Sequence, residues 1–269
     1  MVSANTMKPD KTDGCCAPDC GPKTCAPGVD SINELVRLLD HADPRQRLKA
    51  VRGLARCARE VALAERPKVI EQFARVAADR EAFVRWNLAV ALGEIGHPAA
   101  VEVLARLAAD EHANVRLRVA VALGLIGDAR GIPILARYVE DPYKIGEHAV
   151  VRAFAAMALG KIAHPDAVAS LARLAADPDA VVRWHAVVAL GDVGDPSGLN
   201  ALVRLAEDPI PFTRAHTAIA LAEIGDPAGL PILEHLTKDG MPRVAAISEA
   251  SLKTLTACCE PECGPGTCR

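Results

Sequence analysis

Apolar and polar positions along residues 30–256 follow a helical spacing that recurs from one short unit to the next. Each unit carries a marker position, and in the five central units the leucine of an Ala-Leu-Gly or Ala-Leu-Ala step follows it seven residues later. The marker position is occupied, in chain order, by Arg47, Arg85, Arg116, Arg152, Arg183, Arg214 and Ala245. The usual interval between markers is 31 residues, which is too short for a unit to bury a core alone. The pattern therefore predicts about seven units that stack on one another.

Each unit predicts two antiparallel helices. The first runs from a proline or glycine to an aspartate, as in Pro98 to Asp110 or Pro196 to Asp208, because proline fits the first helical turn. The second, such as Asn114 to Ile126, ends at Gly-Asp or Gly-His, because glycine tolerates a positive φ. Counted from the marker, positions −1, +3, +7 and +10 of the second helix form one apolar stripe, which we expect to face the core. Cys57 occupies position +10 and is predicted to be a core cysteine.

Two intervals are longer than 31 residues. Seven extra residues follow Cys57, and two added helical turns would lengthen that helix without rotating its apolar face. Five extra residues lie within Asp141 to His148, where Pro142 and Gly146 predict a longer loop. The stack is thus expected to contain one extended helix and one extended connection.

The segment from Asp177-Pro178 through Asp195-Pro196 resembles the HEAT-like repeat of the phycobiliprotein lyases and related scaffold proteins. Its signature is D-P-x-x-x-V-R-x-x-A-x-x-A-L-G-x-I-G-D-P. The resemblance implies an all-α, HEAT-like α-solenoid over residues 29–256, flanked by cysteine-rich tails at 1–28 and 257–269. It implies little about chemistry, because such solenoids serve many functions.

Composition narrows the function classes. Aromatic residues are only 3% of the chain while hydrophobic residues are 51%, which favours closely packed helices filled by alanine, valine, leucine and isoleucine. The net charge is −3, and acidic and basic residues are interspersed, so the chain lacks the positive surface potential that would attract the phosphate backbone of a nucleic acid. The polar start lacks a secretory apolar core, and no apolar run approaches the roughly 18 residues that span a bilayer. We therefore expect a cytoplasmic protein that binds neither nucleic acid nor membrane.

The two tails carry the same motif, C-C-x-P-[DE]-C-G-P-x-T-C, at residues 15–25 and 258–268. The predicted ligands are Cys15, Cys16, Cys20, Cys25, Cys258, Cys259, Cys263 and Cys268. Cysteine thiolates select thiophilic metals, so Zn, Cu(I), As(III) and an Fe–S cluster are the candidates. Adjacent cysteines fit a single tetrahedral zinc poorly and suit bridged clusters or trigonal ions better. Thiol–disulfide chemistry and a chemically passive tail are the alternatives.

The length of the solenoid limits how the tails can meet. Seven units stacked about 10 Å apart place the two ends roughly 60 Å from each other. Each tail is therefore expected to form its own site or to meet the tail of another molecule by self-association.

Positions +2 and +9 of the second helices are the recurrent polar positions opposite the core stripe. In the resembled architecture the second helices line the concave face, so these positions are predicted to bind a client protein. The predicted partner-binding residues are Asn87, Glu94, Arg118, Lys161, His185, Asp192, His216 and Glu223. Trp86 and Trp184, at +1, are expected to pack against Gly93 and Gly191.

For the other polar residues that stand out in the sequence, a structural role is favoured over a catalytic one. The marker arginines and the aspartates about six residues before them are expected to form an inter-repeat ion-pair ladder. His185 and His216 suggest a metal, but the similar HEAT-like enzyme deoxyhypusine hydroxylase uses adjacent His-Glu pairs, and here Glu147-His148 is reversed. No nucleophile–base–acid set or nucleotide fingerprint is present.

The sequence thus favours a non-catalytic binding scaffold with two all-cysteine sites, for metal delivery, sensing or assembly on a client. The alternative is a thiol-dependent enzyme or enzyme subunit, either a bilin-lyase-like ligand carrier or a thiol–disulfide oxidoreductase.

Overall fold

A computed structural model describes residues 29–140 and 147–258 of the chain, and all its regular elements are helices. In chain order they are α1 Val29–Leu38, α2 Pro44–Glu60, α3 Arg66–Gln72, α4 Ala82–Ile95, α5 Ala100–Leu107, α6 Ala113–Ile126, α7 Ile132–Val139, α8 Glu147–Ile162, α9 Val168–Leu174, α10 Ala180–Val193, α11 Leu199–Leu205, α12 Pro211–Ile224, α13 Leu230–Leu236 and α14 Pro242–Cys258. Odd-numbered helices are the first helices of the units, and even-numbered helices are the second. Each second helix packs against the second helices before and after it, which gives a two-layer stack. The predicted all-α solenoid is confirmed.

The first helices are shorter than predicted. The expected helix from Pro196 to Asp208 is a 3₁₀ turn, Pro196–Gly198, followed by α11. The Asp195 side chain accepts a hydrogen bond from the backbone N–H of Ser197 and so starts this turn. First helices contain 7 to 10 residues, whereas second helices contain 14 to 17, so most of the regular backbone lies in the second-helix layer.

Four of the second helices, α4, α6, α10 and α12, end at a glycine in the left-handed region, as predicted. Gly96 and Gly127 have φ values of 62° and 70°, and Gly194 and Gly225 are similar. In α8 the same position is taken by Ala163, at φ 49°. A Cβ makes this conformation unfavourable, so Ala163 carries backbone strain that glycine would not.

The core runs along the whole stack between the two layers. Val182, Ala186, Leu190 and Val193, at positions −1, +3, +7 and +10 of α10, are all buried. Cys57 is 2% exposed, so its predicted core position is confirmed, and burial raises the pKa of its thiol. One continuous apolar cluster extends from the first unit to the last, as expected when units stabilise each other through their interfaces.

The long interval after Cys57 is only partly helical. Helix α2 continues three residues past Cys57, to Glu60, and not for two full turns. The chain then leaves the helix at Val61 and forms a 3₁₀ turn at Leu63–Glu65. In the other long interval, residues 141–146 lie outside the described residues and α8 begins at Glu147.

Within the part of the chain that the structure describes, no helix is both long and apolar enough to cross a bilayer.

Candidate binding face

An arginine–aspartate ladder holds neighbouring units in register. Arg183 Nε lies 2.6 Å from Asp208 Oδ2 in the next unit, and Arg183 Nη1 donates to the carbonyl of Asp177 at 2.9 Å. Its carboxylate partner is therefore the following aspartate, while the preceding aspartate contributes its backbone oxygen. Equivalent ion pairs are Arg47–Asp79, Arg85–Asp110, Arg152–Asp177 and Arg214–Asp239. The predicted inter-repeat ladder is confirmed, with this change of partner.

Glycines at position +8 allow the second helices to approach closely. A Cβ placed on Gly124 would lie 2.9 Å from the Cα of Ala158 in α8. The contacts of this type are Gly93–Ala122, Gly124–Ala158, Gly160–Ala189 and Gly191–Ala220. The space beside these glycines is thus filled by alanine at +6 of the next helix. The prediction that Trp86 and Trp184 fill it is wrong.

The outward side of the second helices, which we call the second-helix face, consists of positions −2, +2, +5 and +9. These positions share one side of a helix because they are three or four residues apart. Six of the ten large apolar side chains that are exposed in the described residues lie on it. They are Phe83, Val150, Val181 and Phe212 at −2, Ile219 at +5 and Leu125 at +9.

Sequence reasoning found the polar rows at +2 and +9 but missed the apolar rows at −2 and +5. The signal was present in the repeated Phe or Val two residues before the marker arginine. In a sequence an outward valine looks like a core valine, because only the neighbouring elements decide which side is covered.

The predicted partner-binding residues all lie on this face, and none is buried. Asn87, Arg118, His185 and His216 are half-buried. Glu94, Lys161, Asp192 and Glu223 are exposed.

The first unit makes one end of the face basic. Helix α2 exposes Lys49, Arg52, Arg56 and Arg59 along its outward side. Arg52 donates to Asn87 Oδ1 at 3.2 Å, and Arg59 Nη1 lies 3.0 Å from Glu94 Oε2. Asn87 and Glu94 therefore already have partners within the fold, while the basic groups dominate the surface at this end.

Trp86 and Arg118 form a contact across the next junction. The guanidinium carbon of Arg118 lies 5.2 Å from the ring centroid of Trp86, within cation–π range. A groove of about 480 Å³ beside them is lined by Phe83, Trp86, His112 and Leu117 among others.

Both predicted histidines belong to an aromatic cluster. The ring centroid of Trp184 lies 4.3 Å from His185, 5.3 Å from Phe212 and 5.7 Å from His216. His216 Nδ1 is 2.8 Å from the carbonyl oxygen of Phe212, to which the ring N–H donates. Burial lowers the pKa of His185, which favours the neutral ring. Among the described residues no group of three or more His, Cys, Asp or Glu side chains is placed to hold a metal ion.

The cysteine motifs fall almost entirely outside the described residues. Cys258 is the last residue of α14, and nothing further of that motif is described. The predicted metal ligands at Cys15, Cys16, Cys20, Cys25, Cys258, Cys259, Cys263 and Cys268 remain a prediction.

Comparison with known proteins identifies the repeat. The model of the family described as HEAT repeats matches residues 32–109, 67–150, 144–209 and 171–253, which together span 32–253. No curated protein matches the sequence significantly.

Solved structures share the architecture at low sequence identity. A HEAT-like repeats protein from Thermococcus onnurineus NA1 superposes with a TM-score of 0.55 at 14% identity, over 86% of this chain and 98% of that one. An engineered protein gives a TM-score of 0.51 at 22% identity, over 84% of this chain and 68% of that one. The complex of CpcE and CpcF of phycocyanin lyase from Nostoc sp. PCC7120 gives a TM-score of 0.49 at 17% identity, over 94% of this chain and 100% of that one.

Proposed function

Because the chain belongs to the HEAT-repeat family, we propose that it is a non-catalytic scaffold that holds a partner protein on its second-helix face. The observation that carries this proposal is the row of exposed apolar side chains at position −2: Phe83, Val150, Val181 and Phe212. Each is already about half covered, so a partner that buried the rest would gain roughly half of the value for a whole side chain, about 0.8–1.5 kcal/mol each. Four in one row offset a substantial part of the free-energy cost of association.

The two ends of the second-helix face carry opposite charges. The N-terminal end presents the basic side chains of α2, whereas Asp192 and Glu223 lie near the C-terminal end. A segment with an acidic end and a basic end is favoured in one orientation along such a face, because the opposite orientation brings like charges together. We take this face to be the concave side, since the Gly–Ala contacts draw the second helices together.

A position-specific cross-linker tests the binding face. A photoreactive benzoylphenylalanine in place of Phe212 is expected to form covalent adducts with a partner protein in cells. The matched control replaces Val203, which is exposed to a similar degree, 48% against 50%, but lies on the first helix α11. Equal adducts from both positions, or adducts from Val203 alone, would show that the second-helix face is not the binding surface.

We further propose that each cysteine motif binds a thiophilic metal or cluster, which the scaffold presents to its partner for delivery, sensing or assembly. The duplication of an eleven-residue, four-cysteine motif supports this part of the proposal. The second copy begins at the last residue of α14, so a metal there would lie beside the end of the second-helix face.

Metal analysis of protein purified without oxygen tests the cysteine sites. Deleting residues 1–27 should remove about half of the bound metal and leave helicity unchanged, while Cys57→Val should keep all of it. Metal-free protein whose tail cysteines cycle between thiol and disulfide would support the thiol-dependent enzyme instead. Loss of all metal on deleting one tail would indicate a single site shared by both tails, within or between molecules.

A further inference from the structure

Arg118 is a cation of the second-helix face that has no counter-ion within the described residues. It forms no hydrogen bond or ion pair there, and its buried Nε has no acceptor. Other arginines of the face do have partners. Arg52 donates to Asn87, for example. A guanidinium group stays charged at all ordinary pH values and carries N–H donors only, so those of Arg118 are available to an acceptor from outside this part of the chain.

The indole ring of Trp86 holds this cation in position. The guanidinium carbon of Arg118, on α6, lies 5.2 Å from the ring centroid of Trp86, on α4. A cation–π contact uses the charge of the guanidinium group and leaves its N–H donors unused. A side chain that is positioned before a ligand arrives also loses less conformational entropy when the ligand binds. Arg118 is therefore prepared to donate to an anion.

The groove beside this contact combines apolar walls with one permanent cation. Phe83, Trp86 and Leu117 line it together with Arg118 and His112. Its volume of about 480 Å³ lies within the range of about 300–1,000 Å³ that is typical of ligand pockets. Phe83 is 40% exposed, so apolar surface remains available in the groove. A group that fits here has an apolar part and an anionic part.

The two carboxylates that precede α6 do not neutralise Arg118, because both are paired elsewhere. Asp110 Oδ2 lies 2.5 Å from Arg85 Nε. Glu111 Oε1 lies 3.6 Å from Arg85 Nη2 and 3.4 Å from His112 Nδ1. On the other side of α4, the neighbouring helix α2 carries the basic end of the second-helix face. The charge in the groove therefore calls for an anion from a ligand.

We propose that this groove binds an acidic side chain of the partner protein, with the carboxylate on Arg118 and an adjacent apolar side chain against Phe83 and Leu117. A carboxylate offers two oxygens in one plane, which match two N–H donors of a guanidinium group. The groove is part of the second-helix face, because Phe83 and Arg118 occupy positions −2 and +2. The inference rests on the proposed binding function and specifies the chemistry of one contact.

A carboxylate suits this groove better than a phosphoryl group. A phosphoryl group carries a charge of about −1.5 to −2 near neutral pH. The groove supplies one permanent positive charge, and the negative charge of Glu111 lies 3.4 Å from the lining residue His112. A ligand with a single negative charge matches this balance.

The acidic residues after α14 cannot reach this groove within one molecule. Glu262 follows the last residue of α14 by four positions, so it can extend at most about 14 Å from that helix. Helices α8, α10 and α12 lie between α6 and α14, at about 10 Å per step. The carboxylate is therefore assigned to another molecule.

NMR of the indole N–H groups in the full-length protein provides the test. The chain contains two tryptophans, so Trp184→Phe assigns the signals of Trp86 and Trp184. The probe is the peptide acetyl-Ala-Leu-Glu-Leu-Ala-amide, and its glutamine analogue removes the charge while keeping the shape. The glutamate peptide should shift the Trp86 signal and bind about tenfold more tightly than the glutamine peptide. Equal affinities, a shift of Trp184 alone, or no shift at millimolar peptide would overturn the proposal.

Two variants of Arg118 locate the carboxylate. Arg118→Gln should weaken the glutamate peptide about tenfold, to the affinity of the glutamine peptide. Arg118→Lys keeps the charge but lacks the planar pair of donors, so it should restore only part of the affinity. The control is Arg106→Gln, which removes the same charge from an exposed position on the first helix α5 and should leave affinity unchanged.

Melting temperature distinguishes binding from a structural role. Because Arg118 has no acceptor among the described residues, Arg118→Gln should melt close to the wild type. A lower melting temperature together with unchanged affinity for the glutamate peptide would show that Arg118 serves only the packing of α6 on α4, and the proposal would fail.

Three further arms identify the source of the anion. A phosphoserine peptide that binds more tightly than the glutamate peptide would overturn the carboxylate assignment. Acetate that binds as tightly as the glutamate peptide would point to a free acid and not a protein. Residues 1–28 contain three aspartates and three lysines, and a rise in peptide affinity on deleting residues 1–27 would mean that this segment occupies the groove.

These measurements use purified components, so they are independent of the cross-linking experiment. Cross-linking at position 212 without glutamate selectivity would refute this subsite alone. Glutamate selectivity without cross-linking would leave the subsite standing and refute the binding role proposed for Phe212.

Discussion

Replacing Gly124 by alanine should destabilise the stack, although the same change normally stabilises a helix. Gly124 lies within α6, and a Cβ there would be 2.9 Å from Ala158 Cα and 3.1 Å from Ala158 Cβ. Glycine-to-alanine exchange in a helix gains about 0.5–1 kcal/mol, whereas overpacking costs about 1–3 kcal/mol. The obstructing atom belongs to the backbone and cannot rotate away. We therefore expect a net loss of about 1 kcal/mol.

Gly53 provides the matched comparison. It lies within α2, and a Cβ there would be 2.7 Å from Leu35 Cδ2 and 2.9 Å from Leu35 Cδ1. These atoms are the far end of a flexible side chain that can change rotamer. Gly53→Ala should therefore keep most of the helix gain and stabilise the protein by up to about 1 kcal/mol.

Thermal unfolding followed by circular dichroism separates the two variants. In a protein of this size about 1 kcal/mol shifts the melting temperature by about 2–4 °C, so the two transitions should lie on opposite sides of the wild type. Adding Ala158→Gly to Gly124→Ala should recover only part of the loss, because the contact with the Cα remains. If Gly124→Ala is as stable as the wild type, the close packing of α6 on α8 does not limit this junction and the reasoning fails.

Three other changes test the fold. Ala163→Gly should stabilise the protein by about 1 kcal/mol because it relieves a left-handed alanine, and an unchanged melting temperature would mean that α8 ends without strain. Cys57→Val should lower the free energy of unfolding by less than about 1.5 kcal/mol. Because Cys57 is buried, it should react with thiol reagents far more slowly than the tail cysteines. Labelling of Cys57 at the same rate as the tail cysteines would contradict its core position. Hydrogen bonds from Arg214 hold the pKa of Asp239 below its usual value, so the stability from this pair is present above about pH 4 and is lost as pH falls through the lowered pKa. Asp239→Asn should therefore lose less stability than the wild type between pH 5 and pH 2.5, and equal losses in urea titrations would rule out this contribution.

The sequence by itself determined the repeat unit and most of its local structure. In α4, α6, α10 and α12 the marker arginine, the apolar stripe and the terminal glycine specify where the helix runs, which side it buries and where it ends. Cys57 could be assigned to the core for the same reason. These features depend on positions within one helix or one turn, so helical periodicity is sufficient to predict them.

Only the tertiary structure decided how neighbouring helices fit together. It showed that Ala158 and not a tryptophan fills the space beside a +8 glycine, and that Phe212 faces outward. It also placed the Glu223 carboxylate over Gly191 of the preceding second helix. Whether a side chain is covered, and how closely two helices approach, depends on the volumes contributed by both partners, which periodicity within one helix does not contain.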